Sequence, residues 1–168
     1  LKSMKRPSNM SWVRETISKM RAKIPGLALR TTFISGYPTE TENDHQQLLE
    51  FIQEIGFDHL GVFPFSYESR TTSASFGDPI PPETKLNRVE EIMRLQEGIS
   101  LGRNQRFIGK TLDVLIEGYG EGVSLGRSYR DAPEIDGLVI IESKLQPGKI
   151  VPVRINGALT HDLIGHAL

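Results

Sequence analysis

Cysteine is absent from all 168 residues. Without a thiol these residues build no disulfide framework and offer no thiolate nucleophile. They also hold no Cys-ligated zinc and no iron–sulfur cluster of their own. Long apolar runs are missing too. No stretch approaches the roughly 18 residues of a membrane span, and none has the three-part form of a signal peptide. The expectation is a cytoplasmic chain with no membrane partner. Net charge is close to nil, −1 from 20 Lys/Arg and 21 Asp/Glu. With 38% apolar and 24% charged residues the composition is that of a globular chain, not a disordered one. At about 150 residues per domain the length allows one domain or two small ones.

The balanced total conceals a gradient. Residues 1–30 carry eight Lys/Arg against Glu15 alone, residues 31–101 carry four basic against twelve acidic residues, and residues 102–168 carry eight of each. A basic head beside an acidic middle can neutralise itself within one domain; a patch for phosphate or an acidic partner is the alternative.

Periodicity divides the chain into two styles. Met10, Val13, Ile17, Met20 and Ile24 recur at helical spacing, with Asn9 or Ser11 as N-cap and Pro25-Gly26 as stop. Leu27 to Ser35 is short and β-branched, which predicts a strand, and Gly36-Tyr37-Pro38 turns the chain. Thr39 with Glu42 has the spacing of a capping box. It opens a helix through Leu48, Leu49, Ile52 and Ile55 that Gly56 closes. His59 to Ser66 predicts a second strand, with Pro64 awkward inside it. A polar loop over 67–81 leads to a helix through Leu86, Val89, Ile92, Met93 and Leu95, reaching Leu101. Strand, helix, strand is a βαβ unit of a parallel sheet. Two strands are too few for a buried parallel sheet, so residues 1–103 are expected to be part of a larger α/β domain. After Gly102 five short strands are predicted: Thr111–Glu117, Val123–Tyr129, Leu138–Glu142, Ile150–Ile155 and Ala158–Leu163, separated by glycine turns. That pattern predicts a small closed β-barrel over residues 104–168.

Most catalytic patterns fail. Ser35 lies before Gly36 but in no G-x-S-x-G elbow. His45, His59, His161 and His166 are scattered, with no H-E-x-x-H pair, and are expected at the surface rather than on a metal. Gly118, Gly120 and Gly122 join two strands, which predicts a hairpin rather than a phosphate cradle. The segment Arg30 to Glu40 (RTTFISGYPTE) is more informative. It sets a glycine at the C-terminal end of a parallel strand, just before a helix, where α/β barrels place their active sites. Gly36 there is either a plain turn glycine or a point of close approach for a ligand.

The run TTFISGYPTET, preceded by LKSMKRP and followed by FSYES, resembles the radical S-adenosylmethionine methylthiotransferases. Ser124 to Gly137 (SLGRSYRDAPEIDG) resembles the RimO branch, whose target is an aspartate of a small-subunit ribosomal protein. The MiaB branch, which modifies an adenosine of tRNA, is the alternative. The resemblance implies the C-terminal part of a partial TIM barrel followed by a TRAM domain, an OB-like five-stranded barrel. It also implies S-adenosylmethionine and two [4Fe-4S] clusters in the complete enzyme. The family's C-x-x-x-C-x-x-C motif and the three cysteines of its second cluster have no counterpart here, so this chain alone is expected to be inactive and free of metal. The loop after Tyr67 departs from the family as well, reading Thr72-Ser73-Ala74 where relatives have Gly-Thr-Pro-Ala.

Residue by residue, alternation puts Arg30, Thr32, Ile34 and Gly36 on one face. The resemblance sets Ile34 and Gly36 against the adenosyl group and Phe65 and Ser66 beside the adenine. Arg30 suits the methionine carboxylate, with an internal salt bridge as the alternative. On the barrel, Asp131, Glu134 and Asp136 form an acidic trio that either docks a basic ribosomal protein or caps its own turn. RNA contact through an OB-like barrel is the rival, although such barrels are usually more basic than this one.

Overall fold

The computed structural model describes residues 1, 4, 6 and 8–168. They form two compact units, Leu1–Gln96 and Glu97–Leu168.

In the first unit α1 (Met10–Lys23) begins at Asn9, whose side chain accepts the Trp12 N–H, as the sequence suggests. Strand β1 (Arg30–Ser35) pairs in parallel with β2 (His59–Pro64), Arg30 opposite His59 and Ser35 opposite Pro64. The helix α2 (Glu42–Ile55) is the crossover between them, and Gly56 closes it in the left-handed region. Met10, Val13 and Ile17 of α1 and Leu29, Phe33 and Leu60 pack on Phe51, Ile55 and Phe57, whose rings meet edge to face. The second strand stops two residues short of the expected Ser66. Pro64 has no N–H to donate, so it serves as the terminal residue, and the Phe65 N–H bonds the Ser35 carbonyl beyond it. The 67–81 loop contains a short 3-10 helix, Thr72–Phe76. Then α3 runs from Pro82 to Gln105, four residues past its expected end.

The capping box differs in register from the sequence expectation. Thr41, not Thr39, is the N-cap of α2, and its partner is Asp44, not Glu42. TETEND contains two overlapping Thr-x-x-acid patterns. The first is unavailable because Glu40 belongs to the preceding turn, its N–H on the Tyr37 carbonyl and its carboxylate on Gly36.

The second unit is a closed barrel in the order β3 (Thr111–Gly120), β4 (Val123–Arg127), β5 (Val139–Ile141), β7 (Leu163–Ala167), β6 (Ile150–Ala158). Only the β5–β7 pair is parallel. Inward positions alternate along β3, and Leu112, Val114 and Ile116 meet Val139, Ile141, Val153, Ile155 and Leu163 in one core. The expected glycine hairpin is present: Glu121 and Gly122 are both left-handed, at φ 53° and 86°, as a two-residue primed turn requires. The last strand is the correction. Ala158 ends β6, the Leu159 N–H bonds the Asp162 carbonyl across a turn, and the strand starts only at Leu163. Ala158 and Leu163 pair with each other, so one continuous strand through both is impossible.

Two tests follow from the cap. Thr41→Ala should lower unfolding free energy by about 1 kcal/mol, and Thr39→Ala should change it by less than about 0.5 kcal/mol, read by urea denaturation. Hydrogen bonds from the Thr41 side chain and then its backbone N–H hold the Asp44 carboxyl below its ordinary value. A depressed carboxyl stabilises the fold above the unfolded value of about 3.9 and loses that contribution as pH falls through the folded value. Helix signal lost between pH 4 and 2, about those limits, should be smaller in Asp44→Asn than in the parent.

Candidate functional site

Arg30, Thr32 and Ile34 lie on an open face of the two-stranded sheet. Along β1 the side chains of Thr31, Phe33 and Ser35 point to the packed side and those of Arg30, Thr32 and Ile34 to the exposed side. Ile34 stands opposite Phe63 in register, and these two apolar side chains are 43% and 63% exposed. An apolar pair flanked by a guanidinium and a hydroxyl fits a nucleoside joined to a charged amino acid. It does not fit an iron–sulfur cluster, for which these residues supply no thiolate. Among the described residues no group of three His, Cys, Asp or Glu is arranged to hold a metal ion. Phe65 is half-buried and Ser66 exposed at the end of β2.

Gly36 packs against Lys85. It is left-handed at φ 79°, and a Cβ there would lie 2.5 Å from Lys85 Cγ. The absent side chain thus makes room for the Lys85 stem. Around it lies a polar cluster. The Glu40 carboxylate accepts the Gly36 N–H at 2.9 Å, the Ser35 hydroxyl at 3.4 Å and the Arg88 guanidinium at 2.7 Å. Arg88 also reaches Glu42 at 3.1 Å. Lys85, one turn earlier on α3, donates to the Phe65 carbonyl at 3.2 Å and to Asp78. Tyr37 meets Phe65 and Phe76 edge to face, at 5.4 and 6.4 Å between centroids. Sequence reasoning gave Glu40, Lys85 and Arg88 no role. The available signal was Lys85 and Arg88 three apart at the start of a helix, which puts both on one side of it.

The histidines divide. His161 and His166 are exposed, as expected, but His45 is 1% exposed and its Nε2 lies 2.9 Å from Glu91. His45, Leu49 and Ile52 follow helical spacing, so the imidazole falls on the buried face of α2.

On the barrel the acidic trio is partly spent on its own loop. Asp131 accepts the Ser128 N–H at 3.1 Å and the Ser128 hydroxyl at 2.7 Å. Asp136 accepts the Ala132 N–H at 2.8 Å. Glu134 is exposed and left-handed, at φ 63°. The stapled loop projects Tyr129 and Ile135 to solvent. Behind it the buried Arg130 bonds Asn104 at 3.1 Å and lies 4.1 Å from the Phe107 ring centroid.

Residues 108–168 match the TRAM domain family. The whole length has relatives named ribosomal protein uS12 methylthiotransferase RimO. One from Chloroflexus aurantiacus is 43% identical over all of this chain and 38% of its own length. One from Caldanaerobacter subterraneus subsp. tengcongensis is 47% identical over 98% of this chain and 38% of its own length. A third, from Aquifex aeolicus, is 44% identical over 98% of this chain and 39% of its own length. The chain belongs to the RimO-type methylthiotransferase family. It corresponds to the C-terminal part of such an enzyme and spans about two fifths of the length of these relatives. For the RimO-type fold this puts the open sheet face in the α/β part and the acidic loop in the TRAM barrel.

The loop geometry separates the trio. Asp131→Asn and Asp136→Asn should each destabilise the chain by about 1 kcal/mol through lost turn bonds. Glu134→Gln should leave the thermal midpoint within about 1 °C, since it makes no such bond. Equal effects at all three positions would contradict the stapled loop.

Proposed function

We propose that the chain is the C-terminal portion of an enzyme that adds a methylthio group to the β-carbon of an aspartate of ribosomal protein uS12. The observation that carries this is identity of 42–47% across nearly the whole chain to relatives bearing that name. In this proposal residues 1–103 complete the α/β barrel and residues 104–168 are the TRAM domain. Bound S-adenosylmethionine and two [4Fe-4S] clusters supply the radical and sulfur chemistry of the complete enzyme. The clusters rest on residues outside this chain, which by itself is inactive.

This chain's own contribution is placement. Arg30 and Thr32 bind the polar end of the methionine, Ile34 packs on the adenosyl group, and Phe65 and Ser66 border the adenine. Gly36, held under Lys85, fixes where the strand ends. On the barrel Glu134, with Asp131 and Asp136 behind it, faces a basic protein. The barrel's balance of eight basic and eight acidic residues over 102–168 supports a protein partner in the cytoplasm over RNA.

A binding titration tests the partner. The chain should bind uS12, and Glu134→Lys should weaken that binding several-fold and flatten its salt dependence without lowering stability. The RNA alternative of the tRNA-modifying branch predicts the opposite: Glu134→Lys would tighten tRNA binding and leave uS12 unaffected.

A further inference from the structure

We infer that Lys85 is a positioning residue for the adenosyl end of the open sheet face, acting by tethering the 67–81 loop to the ends of β1 and β2. The inference rests on the cofactor assignment proposed above and deepens it.

Lys85 is 4% exposed. A buried ammonium persists only where acceptors replace its water. Its two acceptors come from different segments, the Phe65 carbonyl just past β2 and the Asp78 carboxylate near the end of the loop. Its stem lies over Gly36, just past β1, and its ammonium is 5.3 Å from the Phe65 ring centroid. One side chain thus touches both strand ends and the loop.

The loop has little else to hold it. Among the described residues its remaining hydrogen bonds are local: Thr71 to Glu68, Ala74 to Thr71, Ser75 to Thr72, Gly77 to Ala74, and Thr71 with Ser73. The Lys85–Asp78 bond is the side-chain bond that leaves the loop, the Pro81 carbonyl accepts the Lys85 N–H where α3 begins, and the Phe76–Tyr37 ring contact is a further anchor. Phe65 and Ser66 lie between β2 and this loop, so whatever fixes the Phe65 carbonyl and the loop fixes the surface offered to an adenine. A lysine suits the position better than an arginine. Its slender stem fits against Gly36, and its point charge reaches two acceptors that are not arranged as a fork.

The 168-residue chain itself is the test object, with S-adenosylmethionine as the probe. Arg70 is exposed within the loop and reports its opening through trypsin cleavage. In the parent chain the probe should slow cleavage at Arg70. In Lys85→Met, cleavage without the probe should rise about tenfold and the dissociation constant should rise by a similar factor, the loss of roughly one charge-assisted hydrogen bond. Asp78→Asn should move both in the same direction, and because Asp78 is 36% exposed it decides the matter if Lys85→Met does not fold. Arg94→Ala, on the exposed side of α3, is the control that should change neither. Unchanged cleavage and affinity in a folded Lys85→Met or Asp78→Asn chain would overturn the tether. Faster cleavage with unchanged affinity would leave Lys85 a purely structural residue and overturn its positioning role. No binding of the probe to the parent chain would instead overturn the cofactor assignment, a failure distinguishable from that of the tether by the cleavage measured without the probe.

Discussion

The Glu40 carboxylate is where the first unit is tied together. It accepts the Gly36 N–H, the Ser35 hydroxyl and the Arg88 guanidinium, so the end of β1, the turn before α2 and the first turns of α3 meet at two oxygens. Both side chains of the ion pair are about nine-tenths buried. Desolvating a pair of charges costs several kcal/mol per ion, and such a pair is tolerated only when further hydrogen bonds satisfy it. Here they do on the carboxylate side, and Glu42 satisfies the second Arg88 nitrogen from solvent. Removing one partner would leave the other charge buried, a loss of about 3–5 kcal/mol. The capping register of α2 is a consequence: with Glu40 committed to the turn, the helix can start only at Thr41.

The two units handle their sheets in different ways. The barrel closes on itself, so its five strands leave no unpaired edge, and bulges between Ile116 and Gly118 and between Ile155 and Gly157 let long strands bend. Its loop from Ser128 to Asp136 is fastened by carboxylates that bond the backbone within it. The parallel pair β1–β2 has one packed face and one open face, and each strand has an edge without a partner among the described residues. On the open face Ile34 and Phe63 stand side by side and exposed. For a chain that spans two fifths of its relatives, that is the condition expected of an incomplete α/β barrel.

The division of chemistry follows. Among the described residues there is no thiolate and no group of three His, Cys, Asp or Glu arranged to hold a metal ion; what they present are surfaces. The open face offers apolar contact with polar groups at one side. The tethered loop lies beside it. The barrel offers a hydrogen-bonded acidic loop with two exposed apolar side chains, Tyr129 and Ile135. Each is placed by ordinary packing and hydrogen bonding.

Local patterns in the sequence were enough for the βαβ order, the five barrel strands, the glycine hairpin and the alternation that puts Arg30, Thr32 and Ile34 on one face. Each depends on neighbours within a few residues, where periodicity and turn chemistry act directly. The family motifs were equally legible, because they lie in short contiguous runs. What the sequence could not decide were choices between equivalent local options. Thr39 and Thr41 offered the same cap, and only the bond from Gly36 to Glu40 selects one. Ala158 to Leu163 looked like a strand, and only pairing with β5 and β6 moves its start to Leu163. His45 had a polar label and a buried position. Gly36 could be a turn glycine or a point of close approach, and only the fold sets the stem of Lys85, forty-nine residues later, beside it. These outcomes rest on contacts between residues far apart in the chain, and tertiary structure decided them because the energy of a buried charge or a missing side chain depends on what lies beside it.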